Sequence, residues 1–115
     1  MFDNKKPTVQ MLGRYQPWHD GHRELFKRAL AKTGQVAIMI RDVDEHFNFN
    51  EVRARIVDDL NVNGYEYNED YIVMQVPNIV NITYGRDVGY KIEQEHLGDE
   101  IEAISATKIR KEMGL

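Results

Sequence analysis

The sequence predicts an α/β domain with a parallel sheet of four or five strands and helices on both faces. The apolar runs Thr8–Leu12 and Gln35–Ile40 are separated by Asp20–Thr33, whose apolar residues recur at helical spacing. This order of strand, helix and strand implies a right-handed crossover between parallel strands. At 115 residues, the chain 1–115 has the length of one domain with a single core.

The remaining elements follow from capping residues, turn residues and apolar spacing. Gly34 after the first helix and Pro77-Asn78 after a later apolar run are typical stop signals. Asn50 is a suitable N-cap for a second helix, and Ser105 is one for the last helix. The predicted elements after the first crossover are a helix at Glu51–Leu60, strands at Tyr71–Val76 and Ile79–Tyr84, a short helix at Lys91–Leu97 and a final helix from Ser105 to about Met113.

Charge and composition narrow the classes of partner. Fifteen basic against nineteen acidic residues give a net charge of −4, and no run of lysine and arginine occurs. A nucleic-acid polymer is therefore not expected as a partner, because binding its phosphate backbone needs a concentrated basic face. With no cysteine, no signal peptide and no apolar run of about eighteen residues, we expect a cytoplasmic protein outside the membrane. The small size also predicts a possible homodimer.

The turn between the first strand and the first helix, Gly13–His22, carries the first candidate site. The helix should begin within the last four residues of this turn, where unpaired backbone N–H groups and the helix dipole attract phosphate. His19 and His22 would share one face of the first turn, and Gly21 between them leaves the backbone open to a ligand. The alternative is that His19 only caps the turn and that His22 is an ordinary surface histidine.

A second motif lies at the far end of the chain, at Ile104-Ser105-Ala106-Thr107-Lys108-Ile109-Arg110. Together the two stretches resemble the H-x-G-H nucleotidyltransferases, also called the cytidylyltransferase-like superfamily. His19–His22 matches the signature of that superfamily, and the second motif is similar to its late I-S-[ST]-T-x-[IV]-R element. The longer stretch Gly13–His19 is similar to the G-R-[FY]-Q-P-x-H form typical of archaeal-type nicotinamide mononucleotide adenylyltransferases.

The resemblance implies a Rossmann-like fold and an enzyme that moves a nucleoside monophosphate from ATP or CTP to a small phosphorylated acceptor, with release of pyrophosphate. His19 and His22 would contact the α-phosphate, and Arg110 would act at the leaving pyrophosphate. A phosphate nucleophile is already deprotonated near neutral pH, so no general base is required. Mg²⁺ would accompany the triphosphate, held mainly by phosphate oxygens and water. The nucleotide-binding residues expected are Gly13, Arg14, Tyr15, Gln16, Gly21, Arg41, Gly85, Arg86, Asp87, Ser105 and Thr107.

The nucleoside triphosphate that serves as donor has two candidates, ATP and CTP, and the class of protein also has an alternative. The Gln16-Pro17 and Ile109-Arg110 pairs favour ATP slightly. The small chain, in contrast, resembles the cytidylyltransferases that act on glycerol phosphate or similar alcohol phosphates. A catalytically silent nucleotide-binding module is the alternative from a different class.

Cations in the middle of the chain allow two interpretations each. Arg41 follows the second strand, where the ligand crevice of a parallel sheet lies, but it could equally pair with Asp42 or Asp44. Arg53 or Arg55 could reach the nucleotide or remain solvated. Relatives in the superfamily often carry Asn-Pro-Phe in this region, and this chain lacks the proline.

Overall fold

The computed structural model describes residues 1–43, 46–86, 89–98 and 106–115, with side chains from residue 108 onward in the last range. The first two strands lie within one residue of their predicted bounds, and the third has the predicted bounds. None of the helices in these ranges combines the length and the apolar content that crossing a membrane requires. The elements are β1 (Val9–Gly13), α1 (Asp20–Thr33), β2 (Val36–Arg41), α2 (Phe49–Val62), β3 (Tyr71–Val76) and α3 (Ala106–Glu112).

The three strands form one parallel sheet in the order β1-β2-β3. Val9 lies opposite Val36, which lies opposite Tyr71, so the strands start level with one another. The prediction of four or five strands is wrong for the part of the chain described, because Ile79–Tyr84 lies in irregular backbone. Apolar residues form a stable strand only where a neighbouring strand and a packing surface take them up. Three apolar side chains of this segment are instead more than half exposed.

Both long helices pack on the same face of this sheet. Val36, Ile38 and Ile40 alternate along β2 and share one buried cluster with Phe26 of α1 and Ile56 of α2. α1 and α2 therefore do not by themselves supply the helices on both faces that the sequence predicts. The strand order explains the difference, because two right-handed crossovers that step in the same direction leave both helices on one side.

Capping residues determine where the helices begin and end. α1 begins after its N-cap His19 and ends before Gly34, whose φ of 88° suits a left-handed C-cap, so the predicted bounds of this helix are confirmed. α2 begins two residues earlier than predicted, because its N-cap is Asn48 and not Asn50. Asn48 and Glu51 form a reciprocal capping box, whereas Asn50 has an arginine three residues later and cannot form one.

The segment 89–98 is irregular and lies against α1. Lys32 of α1 pairs with Glu93 at 3.3 Å and with Glu95, whose pKa is lowered mainly by the hydrogen bond from Lys32. The helix predicted at Lys91–Leu97 is therefore wrong. So short a helix is marginal in water without a packed face, and most side chains of this segment are exposed.

Candidate functional site

The turn between β1 and α1 is built on a close contact between Gly13 and Tyr15. Tyr15 has a φ of 52° and is 5% exposed, and its hydroxyl donates a hydrogen bond to the Met11 carbonyl oxygen at 2.9 Å. A Cβ atom on Gly13 would lie 2.8 Å from Cζ of the Tyr15 ring, which is closer than non-bonded carbon atoms approach. Both residues therefore shape the turn, and Tyr15 does so as a packed core side chain.

His19 and His22 cap the start of α1 reciprocally. Nδ1 of His19 accepts a hydrogen bond from the Gly21 N–H at 3.0 Å, and Nδ1 of His22 accepts one from the His19 N–H at 3.1 Å. Because a backbone N–H can only donate, both Nδ1 atoms must be unprotonated, and each neutral ring carries its hydrogen on Nε2. A capping role and a ligand-binding role are thus compatible, since capping uses Nδ1 and leaves Nε2–H available.

The two imidazoles belong to an aromatic stack. The ring centroids of His19 and His22 lie 3.8 Å apart with 24° between their planes, and His22 lies 5.4 Å from Trp18 at 30°. Tyr15 meets His22 edge-on at 4.9 Å. His22 is therefore held between aromatic neighbours, and it is not the ordinary surface histidine of the alternative interpretation.

Burial keeps both imidazoles neutral near pH 7. The pKa of His22 is lowered from 6.5 to about 3, chiefly because burial disfavours the charged ring, with repulsion from His19 as the second cause. Burial also lowers the pKa of His19; the Asp20 carboxylate opposes this shift, and the Arg55 charge adds to it. The site therefore presents two uncharged N–H donors and not two cations.

Asp59 of α2 anchors Trp18, and neither residue was among those predicted from the sequence. Nε1–H of Trp18 donates a hydrogen bond to Oδ2 of Asp59 at 2.9 Å, and Nη1 of Arg23 donates one to Oδ1 at 2.8 Å. Arg23 also pairs with Asp20 at 3.1 Å. The available sequence signal was the position of the chain's single tryptophan inside the first motif.

A cavity of about 310 Å³ opens beside His19, where the turn, α2 and α3 meet. Nε of Arg55 donates a hydrogen bond to the Trp18 carbonyl oxygen at 3.0 Å, which places this guanidinium at the cavity wall. Arg53 lies instead over the ring of Tyr67, 4.9 Å from its centroid. Of the two arginines that the sequence left open, Arg55 is therefore the one that reaches the site. The residues that line the cavity are Trp18, His19, Asp20, Arg55, Asp59 and Ile109.

α3 reaches the turn through Arg110, whose Nη1 donates a hydrogen bond to the Gln16 carbonyl oxygen. These two residues are 94 positions apart, so the first and last motifs of the chain meet in space. Ser105, the predicted N-cap and phosphate contact, lies outside the described residues. For Thr107, only its place in α3 is described.

A second cavity, of about 410 Å³, lies at the carboxyl ends of β2 and β3. Gln16 in its wall holds the loop after β2 by two hydrogen bonds, from Nε2 to the Phe47 carbonyl oxygen at 3.0 Å and from the Phe47 N–H to Oε1 at 2.9 Å. Arg41 lines the same cavity, and its Nη2 donates to Oδ1 of Asn78 at 2.8 Å. Its buried Nε has no hydrogen-bond partner among the described residues.

Several predicted nucleotide-binding residues are not brought to either cavity. Arg14 is exposed, and Gly85 and Arg86 lie in an exposed irregular segment; none of these three lines either of the two cavities. Asp87 and Asp44 lie outside the described residues. The predicted residues that do gather around the turn are Gly13, Tyr15, Gln16, His19, Gly21, His22 and Arg110.

Comparisons with models of known protein families, with curated proteins and with solved structures found no match to this chain. Within the described ranges, no three histidine, cysteine or acidic side chains are grouped so that they could hold a metal ion. The function is therefore inferred from the geometry of the site.

Proposed function

We propose that this protein is a nucleotidyltransferase with a Rossmann-like fold, which transfers a nucleoside monophosphate from ATP or CTP to a small phosphorylated acceptor. The observation that carries the proposal is the reciprocal cap of His19 and His22, which leaves two neutral Nε2–H donors at the positive end of α1. Pre-organised donors of this kind stabilise the charge that develops on a reacting phosphate. The resemblance of His19–His22 and Ile104–Arg110 to the H-x-G-H superfamily supports the same reaction.

The proposed reaction needs no proton transfer from the acceptor. An oxygen of the acceptor phosphate attacks the α-phosphorus, and the bond from that phosphorus to the bridging oxygen of pyrophosphate breaks, so pyrophosphate leaves as an anion. The rate enhancement then comes from positioning and charge stabilisation. In this proposal His19 and His22 contact the α-phosphate. Arg110, with Ser105 and Thr107, binds the leaving pyrophosphate.

The two cavities suggest where the substrates bind. We assign the triphosphate to the cavity beside His19, where Arg55 adds a positive charge, and the acceptor to the cavity that Arg41 and Gln16 line. Gln16 links the two regions, because its side chain lines the second cavity while its carbonyl oxygen accepts a hydrogen bond from Arg110. Two substrate sites that meet at one residue would bring the acceptor phosphate close to the triphosphate, as a direct displacement requires. Mg²⁺, when bound, would neutralise triphosphate charge, with phosphate oxygens and water as its ligands.

The choice of donor rests on the motifs. The Gln16-Pro17 and Ile109-Arg110 pairs favour ATP slightly over CTP, and a cytidylyltransferase of the glycerol-phosphate type is the alternative. We propose a cytoplasmic location, because the sequence has no cysteine and no apolar run of about eighteen residues. We propose a homodimer because the chain is small.

The test is pyrophosphate release by the purified protein with Mg²⁺, ATP or CTP, and a pool of phosphorylated metabolites. His22→Asn is the sharpest variant, because Oδ1 of asparagine can replace Nδ1 as the cap while the Nε2–H donor is lost. Loss of one pre-organised donor is expected to lower kcat on the order of 10²-fold or more. His96→Asn makes the same change at an exposed position outside both cavities, and this control should keep the parent activity.

Three outcomes separate the candidate functions. Release that requires an acceptor and falls in His22→Asn would establish nucleotidyl transfer and identify the donor. Activity of His22→Asn within a few-fold of the parent would remove the role assigned to His22. Nucleotide binding without pyrophosphate release, for either triphosphate and any acceptor, would support the silent nucleotide-binding module.

A further inference from the structure

We propose that Asp59 is a positioning residue for the histidine pair, acting through the indole of Trp18. This inference rests on the proposed function, in which His19 and His22 donate hydrogen bonds to the α-phosphate. Asp59 has no contact with the reacting atoms in this account. It holds the aromatic ring on which His22 stacks.

Both carboxylate oxygens of Asp59 accept hydrogen bonds from other elements. Oδ2 accepts from Nε1–H of Trp18 at 2.9 Å, and Oδ1 accepts from Nη1 of Arg23 at 2.8 Å. Trp18 lies in the turn and Arg23 near the start of α1, 41 and 36 positions away in the sequence. The Asp59 side chain is only 25% exposed, so these charge-assisted bonds are partly shielded from water. One side chain of α2 therefore ties the turn to the helix that carries His22.

α2 holds Trp18 at two points. Arg55, four residues before Asp59 and thus on the same side of the helix, donates to the Trp18 carbonyl oxygen at 3.0 Å. Trp18 as a whole is 1% exposed. Trp18 cannot change its rotamer without breaking its partly buried hydrogen bond to Asp59, which makes it a fixed support.

Trp18 supports both histidines through stacking contacts. Trp18 stacks on His22 at 5.4 Å, and His22 stacks on His19 at 3.8 Å. The stack fixes the plane of the His22 ring, and the hydrogen bond from the His19 N–H fixes which edge of that ring faces the backbone. Catalytic donors must be held within fractions of an ångström of their working position. Displacement of Trp18 would release the plane of the His22 ring and leave Nε2–H free to move.

The charge of Asp59 also needs an explanation, because this carboxylate lines the cavity assigned to the triphosphate. An uncompensated negative charge there would repel the substrate. Arg23 pairs with Asp59 at 2.8 Å and with Asp20, which lines the same cavity, at 3.1 Å. Arg55 adds a second positive charge at the cavity wall, so two guanidinium groups balance the two carboxylates. Asp59 can therefore hold Trp18 at the edge of an anion site without opposing the anion.

The experiment combines a spectroscopic and a kinetic measurement on the full chain. Asp59→Asn leaves one acceptor oxygen where two different oxygens now face Trp18 and Arg23, so an NH₂ group is turned towards one of these two donors. Trp18→Phe keeps a ring for the stack but removes the Nε1–H donor. Asp58→Asn, the neighbouring exposed carboxylate, is the matched control. Imidazole ¹⁵N shifts report the tautomers of His19 and His22, and steady-state kinetics give kcat and KM.

The expected result is a fall in kcat without a matching change in KM, together with a change in the imidazole spectra. A purely structural role would not produce this combination. The parent and Asp58→Asn should show both histidines as the Nε2–H tautomer. In Asp59→Asn and Trp18→Phe the His22 ring, no longer held in plane by a fixed Trp18, should turn away from the His19 N–H part of the time, so its ¹⁵N shifts should average between tautomers. In these two variants kcat should fall on the order of 10-fold or more, while KM for the triphosphate stays within about three-fold.

The proposal is overturned if both variants are folded, keep the parent tautomers and keep kcat within about two-fold of the parent value. If Asp59→Asn does not fold, Trp18→Phe decides the question, because it leaves Asp59 and its ion pair with Arg23 in place and keeps an aromatic ring beside His22. If the parent releases no pyrophosphate, the proposed function fails. The imidazole spectra then still show whether Asp59 orients the rings, so the two failures are distinguishable.

Discussion

Acidification should destabilise this protein through His22, by an amount that its surroundings determine. Burial, with repulsion from His19 as a second cause, lowers the folded-state pKa to about 3, whereas the unfolded chain has the ordinary value of 6.5. As the pH falls, the unfolded chain therefore binds a proton first. The free energy of unfolding then decreases as the pH drops through 6.5 and continues to decrease until about pH 3.

Between about pH 7.5 and about pH 5 this linkage removes about 2 kcal/mol of stability. His22→Asn isolates the effect, because asparagine does not titrate and its Oδ1 can still accept the hydrogen bond from the His19 N–H. Urea denaturation followed by circular dichroism at both pH values gives the free energy of unfolding for each protein. The parent should lose about 2 kcal/mol more than His22→Asn on acidification.

A second variant controls for destabilisation alone. Asn48→Ala removes the N-cap of α2 and should cost about 1 kcal/mol at both pH values, because no histidine is changed. If the parent and His22→Asn lose the same stability between the two pH values, the reasoning is refuted. His22 would then titrate alike in the folded and unfolded chains, and its burial could not be what keeps it neutral.

Two further changes test how the turn is built. Gln16→Ala removes both hydrogen bonds to Phe47 and should lower the free energy of unfolding by about 1–3 kcal/mol in urea denaturation. Gln75→Ala, at an exposed position of the same cavity, should change it by less than about 0.5 kcal/mol, and equal effects would contradict the bridging role. Gly13→Ala forces a Cβ against the ring of Tyr15 and should cost about 1–3 kcal/mol, so a parent-like thermal melt would disprove the close contact.

Elements that depend on neighbours in the sequence were predictable, and the capping of the helices shows why. His19 and Gly34 bracket α1 as the sequence indicated, because capping chemistry acts over three or four residues. The start of α2 was misplaced although the necessary signal was present. Asn48 with Glu51 three positions on fits a capping box, and Asn50 does not. The spacing of the partner residue was therefore more informative than the residue type of the cap.

The extent of the sheet was not predictable, because strand pairing is not a local property. Ile79–Tyr84 has the apolar content of a strand, but it gains no strand as a neighbour in the described structure. The same limit applies to the faces of the sheet. Once the order β1-β2-β3 is known, right-handed crossovers place α1 and α2 on one side, but the sequence does not state that order.

The same limit applies to the candidate site, where some residues were predictable from the sequence and others were not. His19 and His22 were recognisable from their spacing, whereas Arg55 and Asp59 are ordinary charged residues of an amphipathic helix, separated by about forty positions from Trp18. A weak signal for them exists in the geometry of α2. Its buried residues Val52, Ile56 and Leu60 form a stripe, and Arg55 and Asp59 stand three residues after the first two of these. Charged side chains at that spacing lie at the rim of the buried face, where a helix meets its neighbours. Two charged residues one turn apart at the rim of a helix can therefore be tested for a positioning role. The test is most useful where another motif of the chain contains its single tryptophan.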